Sequence, residues 1–538
     1  MFFENNVFAS DFFESYKIYE RMGYHKENNG HVFRFWQSNA ESVFLVGDFC
    51  GWANGIQMFK DRNGVWEIVL SDCDLRIGDK YKFKVLDNGT WLYVTDPFAF
   101  CCEWNSETAS VIYPLNDEYI WKDKGWLDFR GSHCLDANHK PMNVYKIDLS
   151  LWNRYSDGGQ FNYKDIAIDI APYVKQMGYT HIELVGLSTR LCCSVGDMHE
   201  YSLFAPTSEL GSPKDFKLFV DSMHEAGIGV VLNWIEDASV SQCNNYEALK
   251  SIVLSTMCRS SIPTGENKNA LEDTCAGLKK FLISNLYFWI REYHIDGISC
   301  TGIESTLYFQ LLKVFAELGC TNANMNLNEI SNCLKSVCPD VIVLGSEENK
   351  FFMPKRFADI HDVGIKFSAL RLAFGCAMTY QTVKRTVMGT EMGQNRAEAL
   401  KNNMPWFLLD NELNARLQLF VSELNHLYLV APLLWNGDAE NVSVEEAIDT
   451  KSLSLVKKIQ NGNEFIIIMN FSENSYKDFS LAVSQDGVYE EVFNSNKTEY
   501  GGNGILNFGD LNAYTSDNTF RLDINVPSYG MMIIKHKS

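Results

Sequence analysis

The sequence predicts a multidomain fold in which a central (β/α)8-type TIM barrel is flanked by N-terminal and C-terminal β-sandwich domains. Short alternating strands with turn residues between them fill about residues 25–125 and 445–538. Between these regions the pattern changes to repeated strand–helix units, which indicate a parallel sheet and close most naturally into a barrel. A length of 538 residues agrees with this division, because single cores rarely grow beyond about 300 residues.

The N-terminal part consists of a helical lead-in, predicted over residues 1–24, and the first β-sandwich, predicted over 25–125. The strands of the sandwich are expected in the runs SVFLVGDFCGW, GVWEIVLSD and KYKFKVLDNGTWLYV. Each run alternates apolar and polar residues and ends at turn residues, which is typical of half-buried strands.

The barrel is predicted over residues 140–432 and the second all-β domain over 445–538. Strands and helices of the barrel alternate in NVYKIDLSLW, IAIDIAPYVKQMG, THIELVGLS, SPKDFKLFVDSMHEAG and IGVVLNW. The barrel ends in the strand TVMGTEMGQ and a helix over about 411–428. Alternating strands then return, as in EFIIIMNFS and YGMMIIKHK.

Composition excludes several classes of function. The apolar fraction of 46% and the charged fraction of 21% are those of a folded, soluble protein. A net charge of −21 opposes binding to nucleic acid or anionic membranes and suits a neutral ligand. The N-terminus lacks the basic start of a signal peptide, and no apolar run approaches the ~20 residues of a membrane span. A cytoplasmic location is therefore predicted.

The fifteen cysteines are scattered without the spacing of a metal knuckle, so reduced and mostly buried thiols are expected. A metal site is the alternative to core packing for five of them, and the lack of ligand spacing favours packing: Cys300, Cys320, Cys333, Cys338 and Cys376. The chain also lacks the glycine-rich phosphate loops of nucleotide-binding proteins. We therefore expect no metal and no cofactor.

With these segments in view, the chain resembles the glycogen and starch branching enzymes of the α-amylase superfamily along nearly its full length. The resemblance lies in ordered motifs such as PYVKQMGYTHIELVGLS, EYHIDGIS, GSEEN and LNHLYLVAPLLW. It implies a protein of glycogen or starch metabolism that acts on α-1,4-glucan and transfers it to a 6-hydroxyl. Such retaining chemistry needs two carboxyl groups about 5–5.5 Å apart, one of them a nucleophile.

The resemblance places a threonine where the family has its nucleophilic aspartate. The family's G-[FL]-R-x-D pattern on the fourth strand reads Gly297-Ile298-Ser299-Cys300-Thr301, so Ser299 replaces the supporting arginine and Thr301 the nucleophile. On the third strand Asn233 and Ala238 replace the aspartate and histidine of the sugar subsite. A neutral hydroxyl without an adjacent base is a weak nucleophile, so the family's chemistry is expected to fail.

Of the family's two other catalytic carboxylates, the acid/base group has a clear counterpart in this sequence and the third has only a candidate. Glu347 occupies the general acid/base position, either as a working group or as a leftover carboxylate. Asp362 is the candidate for the third carboxylate, yet only 13 residues separate Glu347 from His361. Since that is too few for helix, strand and helix, the barrel is predicted to be either rebuilt or incomplete.

The first sandwich resembles a family 48 carbohydrate-binding module, in which two tryptophans and a lysine bind glycogen. The corresponding residues here are Trp52, Lys82 and Trp91. Indoles stack on sugar faces and a lysine donates to hydroxyls; the alternative is that these side chains form core or interface contacts. His199 lies where the family has a loop over the first sugar subsite, with a solvated histidine as the alternative.

These features predict a glucan-binding or scaffold protein of the branching-enzyme family that has lost catalysis. The alternative is an active branching enzyme that uses Glu347 with a displaced carboxylate such as Glu304. Glu304 and Asp296 lie at odd offsets from Thr301, so a period of two places them on the other strand face. A third hypothesis is a regulatory partner of a true branching enzyme or synthase.

Overall fold

A computed structural model gives the structure of residues 17–537 with gaps. The gaps are residues 28–29, 38–39, 63, 72–73, 88, 105–108, 133–139, 188–201, 235–280, 282, 300–341, 345–360, 381–383, 396–399, 401, 436–439, 447–452 and 461–462. The chain divides into two compact units. The first comprises Met1–Cys134, Asp148–Asp169 and Glu183–Ser346, and the second Leu135–Ile147, Ile170–Ile182 and Glu347–Ser538.

The N-terminal β-sandwich belongs to the first unit and follows a short 3-10 helix at Ile18–Glu20. Its strands are β1 Gly23–Glu27, β2 Gly30–Trp36, β3 Ser42–Gly47, β4 Ile56–Gln57, β5 Phe59–Lys60, β6 Val65–Leu70, β7 Lys80–Asp87, β8 Thr90–Val94 and β9 Ser110–Val111. They form two antiparallel sheets, ordered β1-β2-β6-β5 and β4-β3-β7-β8, with β9 paired to β7. Along β7 every second side chain is buried, and Phe83 stacks on Phe35 of the opposite sheet in the core.

The central region carries the predicted alternation of strands and helices. Its elements are α1 Lys124–Ser132, β10 Asn143–Asp148, α2 Tyr163–Gln176, β11 His181–Val185, α3 Pro213–Glu225, β12 Gly229–Asn233, β13 Gly297–Ser299, β14 Ile342–Leu344, α4 Val363–Tyr380, β15 Lys384–Val387 and α5 Glu412–Val430. Residues 283–292 are also helical. None of the helices in the described part of the chain is both long and apolar enough to cross a membrane.

Local sequence explains where these helices begin. Ser212 caps α3, because its hydroxyl accepts from the Asp215 N–H while the Asp215 carboxylate accepts from the Ser212 N–H. Pro213 follows at the first helical position, where its missing N–H costs nothing. In the same way the Asn411 side chain accepts from the Leu413 N–H at the start of α5.

The strands of the central region are parallel. In the first unit β12, β13 and β14 are neighbours, with Asn233 opposite Ser299 and Ser299 opposite Leu344. In the second unit β10 pairs with β15, with Asn143 opposite Lys384. Six strands are described between residues 143 and 387, so the closed eight-stranded barrel stays a prediction.

The C-terminal domain lies in the second unit and is all-β, as the sequence predicts. Its strands are β16 Glu440–Glu446, β17 Leu453–Gln460, β18 Asn463–Asn470, β19 Tyr476–Val483, β20 Val488–Asn494, β21 Leu511–Asn512, β22 Tyr514–Ser516, β23 Thr519–Val526 and β24 Gly530–His536. A sheet ordered β16-β17-β18-β24-β20-β21 faces a sheet ordered β19-β23-β22 across one apolar core. The buried Arg371 of α4 joins this domain by donating to the carbonyl oxygens of Ser495 and Tyr500.

Candidate functional site

The outer face of the β4-β3-β7-β8 sheet carries aromatic and lysine side chains. Residues paired across an antiparallel ladder point to the same side of the sheet. Lys84 of β7 lies between Phe44 of β3 and Tyr93 of β8, and Trp91 lies opposite Leu86. Together with Lys82, two residues from Lys84 along β7, these side chains form what we call the aromatic–lysine face: Phe44, Lys82, Lys84, Trp91 and Tyr93.

The rings of this face are open to solvent. Trp91 is 44% exposed and Tyr93 is 51% exposed, whereas the inward residues of β7 are buried. Phe44 contacts Trp91 edge to face at 5.7 Å, and the Lys84 ammonium lies 4.9 Å from the Trp91 ring centroid. A sugar ring can stack on an aromatic ring that is exposed and held in place by a neighbouring side chain, as Trp91 is by Phe44.

Trp52 lies in the loop that covers the other end of the same face. Its indole Nε1–H donates to Asp48 Oδ1 at 2.8 Å, and its backbone has a positive φ of 62°. The loop continues to Gly55, where a Cβ would lie 2.7 Å from Val46 Cγ1 and 2.8 Å from Phe44 Cβ. Val46 pairs with Lys82, so Lys82 and Trp91 lie on this face and Trp52 lies in the loop that packs against it at Gly55.

A second group of site residues lies at the ends of the parallel strands. Asn233, the last residue of β12, is buried and donates from Nδ2 to Glu183 Oε1 at 2.9 Å. Ser299, the last residue of β13, is also buried and accepts at its carbonyl oxygen from the Trp234 N–H. Glu183 of β11 is fully buried. Sequence analysis missed Glu183, although a carboxylate in an otherwise apolar buried strand is a signal worth following.

Asp296, the residue before β13, forms part of a buried polar network. Its carboxylate accepts from His224 Nε2 at 2.9 Å, from Arg130 at 2.9 Å, from Trp126 Nε1 at 2.8 Å and from the Val230 N–H at 2.7 Å. The side chain is fully buried. Asp296 therefore joins α1, α3 and β12 to β13.

His224 is the centre of this network. Its Nδ1 is 2.8 Å from Asp123 Oδ2, which also lies 2.8 Å from His294 Nδ1. Burial alone would lower the pKa of His224, but the two carboxylates outweigh it and raise that pKa to about 9. Burial would raise the pKa of Asp296, yet His224 and Arg130 hold it below its usual range. At neutral pH His224 is therefore protonated and Asp296 is ionised.

In the second unit a buried carboxylate lies just after β15. Glu391 Oε1 accepts from the hydroxyls of Tyr145 at 2.7 Å and Tyr173 at 2.6 Å. Burial raises the pKa of Glu391 above its ordinary value, and the two hydroxyls only partly oppose this. Sequence analysis missed this group as well, because its partners lie more than 200 residues away along the chain.

The two outer domains and the whole chain match known families. Residues 21–99 match the model of Carbohydrate-binding module 48 (Isoamylase N-terminal domain), and residues 454–537 match that of the Alpha amylase, C-terminal all-beta domain. The chain is 27% identical to the 1,4-alpha-glucan branching enzyme GlgB of Nitrosomonas eutropha, over 92% of this chain and 79% of that enzyme. It is 26% identical to the GlgB enzyme of Desulfitobacterium hafniense, over 97% and 96% respectively.

The chain is a homologue of the branching enzymes. Solved structures show that this branching-enzyme homologue has an α-amylase-family multidomain fold. Pullulanase from Bacillus acidopullulyticus has a TM-score of 0.62 and 15% identity, covering 96% of this chain and 75% of that one. The GBS pullulanase SAP in complex with maltotetraose has a TM-score of 0.63 and 11% identity, covering 96% and 88%.

Several site residues of the branching-enzyme homologue lie outside the described residues. They are Thr301, Glu347, His199, Ala238 and Glu304. Four of the cysteines weighed as metal ligands, Cys300, Cys320, Cys333 and Cys338, also lie outside, whereas Cys376 is buried. Within the described part of the chain, no cluster of three or more His, Cys, Asp or Glu side chains is arranged to hold a metal ion.

Asp362, the predicted third carboxylate, is described and exposed. Its Oδ1 accepts from the Ile365 N–H at 2.9 Å, and its carbonyl oxygen accepts from the Lys366 N–H. These are the contacts of an N-cap residue at the start of α4. A capping role accounts for an aspartate at this position, and its role in catalysis stays a prediction.

Proposed function

We propose that this branching-enzyme homologue binds α-1,4-glucan and has lost transferase and hydrolase chemistry, so that it serves as a glucan-binding or scaffold protein in glycogen or starch metabolism. The observation that carries the loss of chemistry is Thr301, two residues beyond the end of β13 in the position of the nucleophile. Double displacement needs a carboxylate there, which attacks the sugar and is released again in the second step. A neutral hydroxyl has no negative charge to stabilise the transition state and is a poor leaving group.

The surroundings of this position support the proposal. Ser299 stands for the family's arginine, and an arginine left beside a lost carboxylate would be a costly unpaired charge. Asn233 stands for the aspartate of the sugar subsite, and its amide donates to Glu183. At the end of β12, therefore, a neutral amide and not a second carboxylate lies beside Glu183.

Two carboxylates at the parallel strands, Asp296 and Glu183, already form hydrogen bonds with other protein groups. Asp296 accepts four hydrogen bonds at the opposite end of β13. Glu183 is fully buried against Asn233. Since the retaining mechanism needs a second carboxyl group that can act as the nucleophile, these contacts favour the loss of chemistry.

The aromatic–lysine face supports the binding half of the proposal. Trp91 and Tyr93 offer exposed rings, and Lys82 lies on the same face. The match of residues 21–99 to a carbohydrate-binding module agrees with a sugar ligand. A maltotetraose complex exists for a protein of the same fold, which makes a maltooligosaccharide the natural first ligand to test.

Incubation of the pure protein with amylose tests the loss of chemistry. We expect no change in the iodine spectrum and no new α-1,6 linkages from the wild type. The Glu347→Gln variant should be indistinguishable from it, and Thr301→Asp combined with Ser299→Arg tests whether the family residues restore turnover. Wild-type turnover that Glu347→Gln abolishes would show that the protein is an active enzyme.

Affinity electrophoresis in glycogen-containing gels tests the binding. Trp91→Ala should weaken retention about three- to tenfold, which is the range for one aromatic stacking contact. Phe59→Ala is the matched control, because Phe59 is 64% exposed but lies on β5 of the other sheet. Equal retention of wild type and Trp91→Ala would contradict glucan binding at this face.

An active branching enzyme that uses Glu347 with a displaced carboxylate such as Glu304 remains the second candidate. Turnover lost in both Glu304→Gln and Glu347→Gln would support this candidate. The cytoplasmic location and a regulatory partner stay predictions, to be checked by fractionation and by pull-down from glycogen-accumulating cells.

A further inference from the structure

We propose that the aromatic–lysine face recognises a phosphate monoester on the bound sugar, with Lys84 as the residue that reads the anion. This inference rests on the proposed function, since it assumes that the face binds a hexose ligand. It concerns Lys84 and Tyr93, which are not among the binding residues that the sequence predicts.

The first observation is the position of the Lys84 ammonium. It lies 4.9 Å from the ring centroid of Trp91 and 5.7 Å from that of Tyr93. Both rings are about half exposed, so a sugar stacked on either ring brings its substituents next to this ammonium. An ammonium in such a cation–π contact can still donate to solvent or to a ligand from the N–H groups that do not face the rings.

The second observation is the arrangement of charge around Lys84. Among the described residues, no carboxylate forms an ion pair with Lys84, whereas its neighbour Lys80 pairs with Glu103 at 2.5 Å. Asp48, at the same sheet, accepts from the Trp52 indole and the Lys80 N–H. The cation that faces the rings is therefore not neutralised by a local ion pair.

The third observation is that the lysines give this face a local positive charge, whereas the whole chain has a net charge of −21. The overall field repels anions, so an anionic ligand needs a local cation at its docking site. A neutral glucan has no such need, because stacking and hydroxyl donors suffice for it. A phosphate ester on a hexose combines the two chemistries that this face offers, a ring to stack and an anion to pair.

The experiment compares maltodextrin that carries phosphate monoesters on glucose O6 with the same material after phosphatase treatment. Binding of both to the full-length protein is measured by isothermal titration. We expect the wild type to prefer the phosphorylated form by roughly two- to fivefold at low salt, the range for one exposed charge pair. The preference should shrink as salt rises, because exposed charges are screened.

Variants assign the preference to one residue. In Lys84→Gln the ratio of the two affinities should fall to about one, whatever the affinity for the neutral form. Lys60→Gln is the matched control, because Lys60 lies 5.4 Å from the Trp66 ring on the other sheet and its loss should leave the ratio unchanged. A ratio that Lys84→Gln does not lower would overturn the proposal.

Competition experiments distinguish a free hexose phosphate from a phosphorylated polymer as the ligand. They also show whether phosphate recognition fails alone or together with glucan binding. Competition by free glucose 6-phosphate supports the proposal with a free hexose phosphate as ligand, and its failure to compete supports the polymer. Equal competition by inorganic phosphate would overturn recognition of a sugar ester. If the wild type binds neutral maltodextrin without preferring the ester, this inference fails while the proposed function stands; if neither binds, both fail.

Discussion

The network centred on His224 should make the stability of the first unit depend on pH, and His224→Gln should remove that dependence. His224 has a pKa of about 9 in the folded protein against 6.5 in an unfolded chain. A difference of this size corresponds to about 3 kcal/mol, since one unit is worth about 1.4 kcal/mol. The positively charged imidazole of His224 lies between the carboxylates of Asp123 and Asp296 and forms an ion pair with each.

The sign follows from the direction of the shift. Because the folded pKa lies above the unfolded one, the stabilisation is complete below pH 6.5 and is lost as the pH rises to about 9. For Asp296 the folded pKa lies below the ordinary 3.8, so its contribution is lost only as the pH falls through the acid range. The network should therefore be most stabilising between about pH 5 and 6.5.

Thermal unfolding of the full chain, followed between pH 6 and pH 9.5, is the assay. The first unit comprises about 320 residues, so its unfolding entropy is about 0.7 kcal/mol per K and 3 kcal/mol corresponds to a fall in Tm of roughly 4–5 °C. In His224→Gln the Tm should be lower at pH 6 and nearly flat across the range, because the neutral amide cannot supply the charge. His426→Gln is the matched control, since His426 is exposed on α5 and its ring Nδ1 hydrogen-bonds to the Ser422 carbonyl oxygen and not to a carboxylate. A wild-type Tm that stays constant from pH 6.5 to 9.5, or a slope that His224→Gln retains, would refute the argument.

Three further substitutions test other contacts. Arg371→Leu should destabilise the C-terminal domain by about 3 kcal/mol in chemical denaturation, because it leaves two buried carbonyl acceptors without their donor; an unchanged midpoint would contradict this. Glu391→Ala should cost about 2–4 kcal/mol, since the buried hydroxyls of Tyr145 and Tyr173 lose their acceptor, and Glu391→Gln, which keeps one oxygen, should recover part of the loss. Trp91→Ala should leave Tm within about 1 °C while weakening glycogen retention, because the indole is half exposed; a large fall in Tm would instead indicate a core role.

The order of domains and the character of the site follow from the sequence alone. Strand and helix periodicity is set by neighbours a few residues apart, so the two β domains and the parallel strands between them are visible in the chain itself. The threonine at position 301 is likewise visible in the sequence, because a motif compares residue types at fixed spacing, and its assignment to the nucleophile position stays a prediction. The family resemblance that it rests on is confirmed by the matches to the carbohydrate-binding module and to branching enzymes.

The tertiary structure decided which side chains meet. The pairing of Lys84 with Tyr93 and Phe44 depends on strand register, and a slip of one residue would turn Lys84 into the core. The contacts of Asp296 with His224 and Arg130 join residues 72 and 166 positions apart. No local pattern encodes such contacts, because they arise from packing between elements that are distant along the chain.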